Sequence, residues 1–248
     1  MKVNQNCLLE AEEAAVIHIE TTGPSPTRDR LVAVYVLIFD FHTAAKRKQI
    51  QGRKFNALLN PIIPIPPEAT EVHGVRNQDV WSKETFSDIA YEFSTFVGNR
   101  PLVGYNANVI MDFLDSESER AGTCMLSENH IYCIKTRFRE HMEALYGVRS
   151  YNWTYGDLLD EIGIRGQRRS PYAATEDVLL TAKAASLFYL LDNNMSQNIR
   201  PGSMYQWTST GKRSDVSKAH ALLHRLSVGR VLIAAITAIV LMFAGRAL

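Results

Sequence analysis

The sequence has 248 residues, 46% of them apolar, which is enough for one domain of about 190 residues with a core of its own, plus an appendage. Its formal charge of +1 hides a split: residues 1–192 carry 20 Lys and Arg against 25 Asp and Glu, a net of −5, and residues 193–248 carry 7 against 1, a net of +6. An acidic globular part gives no general support for non-specific nucleic-acid binding, which rests on cationic side chains neutralising phosphates, although local basic patches stay open. Three cysteines (Cys7, Cys124, Cys133) with no Cys-x-x-Cys spacing, behind no secretory signal, read as buried spectator thiols in a reducing compartment rather than as a disulfide framework.

Residues 1–13 form a polar lead-in with Glu10, Glu12 and Glu13. The β-branched run Val16-Ile-His-Ile-Glu20 marks a first strand at about 14–20 whose end carries a carboxylate and a turn. A Gly, Pro and Ser-rich loop (21–30) follows, then a strand over Leu31–Phe41. A basic hairpin (Lys46–Lys54) leads to a third strand at about 54–60, so that three antiparallel strands form a meander. Pro61-Ile-Ile-Pro-Ile-Pro-Pro67 is an extended connector, because proline fits neither a helix interior nor a central strand. Glu68–Val75 begins a short helical turn, and Phe86, Ile89, Phe93 and Phe96 repeat at helical spacing up to Gly98. Pro101–Tyr105 is a short strand that runs into the segment Asn106–Leu114. Residues 116–147 read as helix, break, helix, with a strand at Ile131–Ile134. Tyr155–Ile164 is a short helix closed at Gly163, and Leu180, Ala184, Leu187 and Leu191 give a last helix its core face from Asp177 to about Leu191.

Beyond it, 193–215 has the composition of a linker, and 216–248 holds a basic segment followed by the uncharged run Val231–Gly245. A span takes about 20 apolar residues, and this run of 15 rises only about 22 Å as a helix. Snorkelling of Arg230 and Arg246 lengthens it by a turn, and Lys212, Arg213, Lys218, Arg225 and Arg230 put positive charge on its N-terminal side. The expectation is a single-pass C-terminal membrane anchor with the domain in the cytoplasm. The alternative is an amphipathic or self-associating helix docked on a partner, although a run apolar all round would leave some face of it to water in a monomer.

Three segments of the domain carry a family likeness. His18-Ile-Glu20-Thr-Thr-Gly23, Asn106-Ala-Asn-Val-Ile110-Met-Asp-Phe113-Leu114 and Arg169-Ser-Pro-Tyr172-Ala-Ala-Thr-Glu-Asp177 resemble, in order and separation, the three motifs of the DnaQ-like (DEDDh, RNase H-like) 3′-5′ exonuclease superfamily. Asn60-Pro61 and Val72-His73-Gly74-Val75 are similar to the segment between its third strand and next helix. The resemblance covers residues 14–192. It implies an α/β fold: a mixed five-stranded sheet, three strands antiparallel and two added parallel, with helices on both faces. Composition alone does not reach that conclusion.

The resemblance also implies a site. The family holds two divalent cations on acidic side chains and activates water with a His. Here Glu20 and Asp177 match metal-binding positions, His18 and Ile110 stand where the family has Asp, and Tyr172 stands at the general-base position. Two carboxylates do not balance two Mg²⁺ ions, which take oxygen ligands. Asp112 is no substitute for Ile110, since two residues along a helix turn the side chain by about 200°. Three readings of the remnant follow: His18 hydrogen-bonds Glu20 or Asp177 and no cofactor binds; His18, Glu20 and Asp177 take one Mn²⁺ or Zn²⁺; or the family's Mg²⁺ or Mn²⁺ still binds. His73 reads as structural.

The function expected is therefore a catalytically inactive exonuclease-like module, anchored to a membrane through its C-terminal helix. It would act as a scaffold for a protein partner or for nucleic acid. The alternative is an active metal-dependent 3′-5′ exonuclease with a degenerate ligand set.

Overall fold

The computed structural model describes residues 7–8, 11–41, 43–44, 50–123, 126, 128–147, 152–161 and 174–192, all within the first of two compact units, Met1–Arg200. The expected linker and C-terminal apolar helix lie outside the described residues. Among the described residues no helix is long and apolar enough to cross a membrane.

Five strands form one sheet in the order β3-β2-β1-β4-β5: β1 (Glu13–Thr21), β2 (Leu31–Asp40), β3 (Gly52–Leu58), β4 (Leu102–Gly104) and β5 (Ile131–Cys133). β1 pairs antiparallel with β2 and β2 with β3, while β4 joins β1 and β5 joins β4 in parallel, so the mixed sheet stands as expected. The third strand begins two residues earlier than the sequence pattern predicts, with Arg53 and Lys54 inside it. β3 is an edge strand with exposed positions at its start, and there charged side chains stay in water and discourage pairing with another chain.

The pleat of β1 sends alternate side chains to opposite faces. Ala15, Ile17 and Ile19 join Val34, Val36, Ile38, Phe55 and Ala57 of the neighbouring strands under two helices, α3 (Phe86–Val97) and α4 (Ala107–Arg120). α3 starts where Asp88 accepts hydrogen bonds from the Thr85 amide (2.8 Å) and hydroxyl (2.7 Å), and it buries Phe86, Ile89, Phe93 and Val97 at helical spacing. Two short helices precede it, α1 (Pro67–His73) and α2 (Asn77–Val80). They cover a satellite cluster of Val32, Ile65, Val75 and Val80.

The other face of β1 and β2 carries the last helix described, α7 (Ala174–Asp192), with α5 (Ile134–Tyr146) and α6 (Tyr155–Glu161) beside it. α7 starts three residues before Asp177, earlier than its core spacing alone suggests, which places Asp177 inside the first turn. Its C-terminal end is pinned by Arg137 of α5, whose Nε donates to Asp192 at 3.0 Å while its guanidinium lies 5.2 Å from the centre of the Phe188 ring. That bond ties the C-terminal end of α7 to α5.

Candidate functional site

His18 and Glu20 are two residues apart on β1 and so share the face that α7 covers. His18 Nε2 hydrogen-bonds Glu20 Oε1 at 3.1 Å and lies 3.8 Å from Asp177 Oδ2. All three side chains are largely buried, Asp177 most of all with 6% of its side chain exposed against 18% and 17% for His18 and Glu20. The imidazole nitrogen thus stands within reach of both carboxylates, where like charges would otherwise face each other. Of the residues singled out in the sequence, His18, Glu20 and Asp177 are brought together.

Ile110 is not part of that cluster. It packs with Ile17, Leu102, Ala107 and Met111 on the face of β1 opposite His18. Its Cδ1 fills the space over Gly104, where a Cβ would come within 2.6 Å of it. The glycine is needed there for close approach of helix and strand, since the isoleucine methyl already occupies that space. Asp112 is exposed, pointing away from the cluster as helical geometry requires. Tyr172 lies outside the described residues.

Aromatic groups that the sequence motifs did not mark line the same region. Tyr35 stands directly across from His18 on β2, and burial, with a further contribution from the Glu20 charge, raises its phenol above the ordinary value. Tyr155 of α6 donates its hydroxyl to the Asp177 carbonyl at 3.4 Å and meets Tyr105 edge to face, with ring centres 4.7 Å apart. Tyr105 in turn donates to the Trp153 carbonyl at 3.4 Å. Its phenol is pushed up to about 12 by burial and then by Asp157 and Cys133. Period-two alternation on β2 shows that Tyr35 shares a face with Ala33 and Leu37. The register that sets it opposite His18 is a property of the folded sheet.

His73, the last residue of α1, is buried, and its Nδ1 accepts the Val75 amide at 3.1 Å. Its neutral ring therefore carries the proton on Nε2, for which the described residues offer no acceptor in hydrogen-bond geometry. Burial lowers its pKa, while the Glu20 charge and the Thr21 backbone act in the opposite direction. A fixed Nδ1 contact within its own turn is what a structural histidine makes.

The family's two-cation chemistry asks for acidic side chains from three segments. In the motif register expected from the sequence, one acidic position holds an imidazole already bonded to Glu20, and a second holds an isoleucine sealed into the core. The side chains present do not fit a pair of cations. Among the described residues no group of three or more His, Cys, Asp or Glu side chains is arranged to hold a metal ion.

A meander of three strands extended by two parallel ones, with Glu20 at the end of the first strand and Asp177 on the last described helix meeting at one imidazole, has the architecture of an exonuclease-type α/β domain. The family model described as Exonuclease (RNase_T) matches residues 15–185, and the chain belongs to that family, within the DnaQ-like exonuclease superfamily. It is 33% identical over 98 residues to the DNA polymerase III subunit epsilon of Treponema pallidum, covering 40% of this chain and 42% of that one. It is 24% identical over 136 residues to the subunit of the same name in Pasteurella multocida, covering 54% and 52%. The match thus spans about half the length of these curated relatives. Among solved structures, the nuclease domain of 3′hExo, a DEDDh family member bound to rAMP, superposes with a TM-score of 0.57 at 16% identity, over 74% of this chain and 94% of that one. Cell-death related nuclease 4 (CRN-4) gives a TM-score of 0.58 at 14% identity, over 73% and 64%. These likenesses show a shared fold.

Proposed function

We propose that this protein is a non-catalytic member of the exonuclease family, held at a membrane by its C-terminal segment and working as a binding module for a protein partner. The observation that carries the reading is His18, whose Nε2 is within reach of both surviving carboxylates at 3.1 and 3.8 Å. In a two-cation hydrolase that space belongs to metal, and the ions activate water and stabilise the leaving oxygen. An imidazole bonded to Glu20 and close to Asp177 supplies neither function. The net charge of −5 on residues 1–192 favours a protein over a polyphosphate as the bound species. The relatives' name, subunit of a DNA polymerase, points the same way in one respect, since a subunit is a member of an assembly.

Calorimetric titration of the full chain in detergent with Mn²⁺ and Mg²⁺, beside Glu20→Ala and Asp177→Ala, tests the first half. No saturable binding at millimolar ion is expected, and no degradation of single-stranded DNA or RNA. Binding that disappears in both variants, or Glu20-dependent degradation, would replace this reading with that of a working metal-dependent exonuclease. The membrane half is tested by flotation with lipid vesicles: the full chain should float, and a chain ending at residue 215 should not.

A further inference from the structure

We infer that the recess between the β3–α1 connector and the N-terminal end of α3 is a docking site for a protein segment that carries a carboxylate next to a bulky apolar side chain. The inference does not depend on whether the His18 cluster is catalytic. Its starting point is Ile62, with φ at +64°, the one non-glycine residue in the left-handed region among the described residues. A β-branched side chain is strained there and persists only where the surroundings over-determine it. Asn60 does so: its Oδ1 accepts the Ile62 amide at 2.9 Å, its Nδ2 donates to the Trp81 carbonyl at 3.1 Å, and its own amide donates to the Glu84 carbonyl at 2.9 Å. Among the described residues the strained side chain buries little, because Ile62 is turned outward with 78% of its surface exposed. Trp81, the cap of α2 whose carbonyl Asn60 holds, is 81% exposed.

Ile62 and Ile63 form one wall of a recess of about 260 Å³ whose other walls include Arg30, Glu117 and Arg120. Glu117 is committed: its Oε1 accepts the Leu31 amide at 3.2 Å and Arg120 Nη1 at 3.0 Å. Arg120 Nη2 also donates to the Pro26 and Thr27 carbonyls, and Arg30 Nη1 donates to the Arg28 and Asp29 carbonyls. Two guanidinium groups are thus held in place by backbone oxygens against a single carboxylate. The recess is cationic on a domain that is acidic overall. An anionic group is drawn to the arginines, and an apolar neighbour on the same segment covers Ile62 and Ile63. Nucleic acid fits less well, because the domain around the recess is acidic overall and the one ring in the lining, Phe86, is buried; the exposed Trp81 is not part of that lining.

Fluorescence anisotropy of labelled short amidated peptides, each with one Asp or Glu beside Leu, Ile or Phe, tests this on the full chain in detergent. A matched set carries Lys in place of the acid. Members of the acidic set should bind and the Lys set should not. Ile62→Gly and Arg30→Ala should each weaken binding by about tenfold or more. The thermal midpoint of Ile62→Gly should not fall, because glycine accepts the positive φ. Three outcomes overturn the inference: no acidic peptide binds at millimolar concentration, binding is indifferent to both substitutions, or a single-stranded oligonucleotide displaces the peptides from the recess. Self-association of the chain that Ile62→Gly abolishes overturns it too, by making the occupant a second copy.

Discussion

The two faces of β1 hold in different ways the two side chains, Ile110 and His18, that the motif register expected from the sequence sets at carboxylate positions. On the face of Ala15 and Ile17, Ile110 occupies what the expected motif register makes an acidic position. It is locked in, because the isoleucine packs over Gly104 among buried apolar side chains. On the face of Val16, His18 and Glu20, the exchange to His18 keeps a polar cluster polar, and its hydrogen bond to Glu20 can be remade by other side chains. A position taken into a close-packed core is defended by cavity and desolvation terms of several kcal/mol. A half-buried polar position is held by hydrogen bonds worth roughly 1 kcal/mol each. Reversion should therefore be costly at 110 and mild at 18.

The largest effect is expected on the core face. Phe93→Ala, at a fully buried ring of α3, should cost about 3–5 kcal/mol in urea unfolding. A loss below about 1 kcal/mol would mean that the core is wrongly described. Ile110→Asp should cost more than Ile110→Ala, itself about 2–5 kcal/mol, because the carboxylate would be buried among apolar walls. If Ile110→Asp were the milder of the two, Ile110 would face the His18 cluster and the contrast between the faces would break.

Next comes Gly104→Ala, expected to cost about 1–3 kcal/mol through the contact with Ile110 Cδ1. A double-mutant cycle with Ile110→Ala should recover part of that loss, with a coupling of about 0.5–3 kcal/mol, and strict additivity would count against the contact. On the polar face, His18→Asp should cost about 0.5–3 kcal/mol by crowding like charges against Glu20 and Asp177. Thermal melting of His18→Asp in the presence and absence of millimolar Mn²⁺ reads whether the cluster then takes an ion. A loss fully reversed by Mn²⁺ would show that His18 alone keeps the cluster from binding metal.

The smallest effect is a pH dependence from His73. Its folded pKa is depressed chiefly by burial, so the unfolded chain takes up the proton first as pH falls. Stability from this group is fully present above its ordinary value of 6.5 and is lost as pH drops through the lowered folded value. The urea midpoint should fall over that window, and His73→Gln should flatten this part of the profile. An unchanged slope in the variant would assign the dependence to another group.

Much of the fold was legible beforehand. β1 and β2 read clearly because each is a β-branched, apolar run bounded by turn chemistry, and α3 because its aromatic side chains recur at helical spacing. The start of β3 was misplaced because Arg53 and Lys54 look like turn residues, whereas an exposed edge strand accommodates them. Among the site residues, Glu20, His18 and Asp177 were marked by motif spacing, and helical geometry alone placed Asp112 outward. Tyr35, Tyr105 and Tyr155 were missed, because no short-range pattern distinguishes a tyrosine beside a polar cluster from one at any half-buried position. The recess beneath Ile62 was invisible as well, since a positive φ at isoleucine runs against residue preference.

Local spacing and residue type were enough to read the strand and helix periods and the family likeness, because none of these depends on contacts between distant segments. Only the tertiary structure decided that His18 reaches two carboxylates from different ends of the domain, that Ile110 closes over Gly104 on the opposite face, and that Asn60 holds Ile62 outward beside two arginines. Each of these rests on register and packing between segments far apart in the chain, and such contacts are selected by the exclusion of overlap in a dense interior rather than by any local preference.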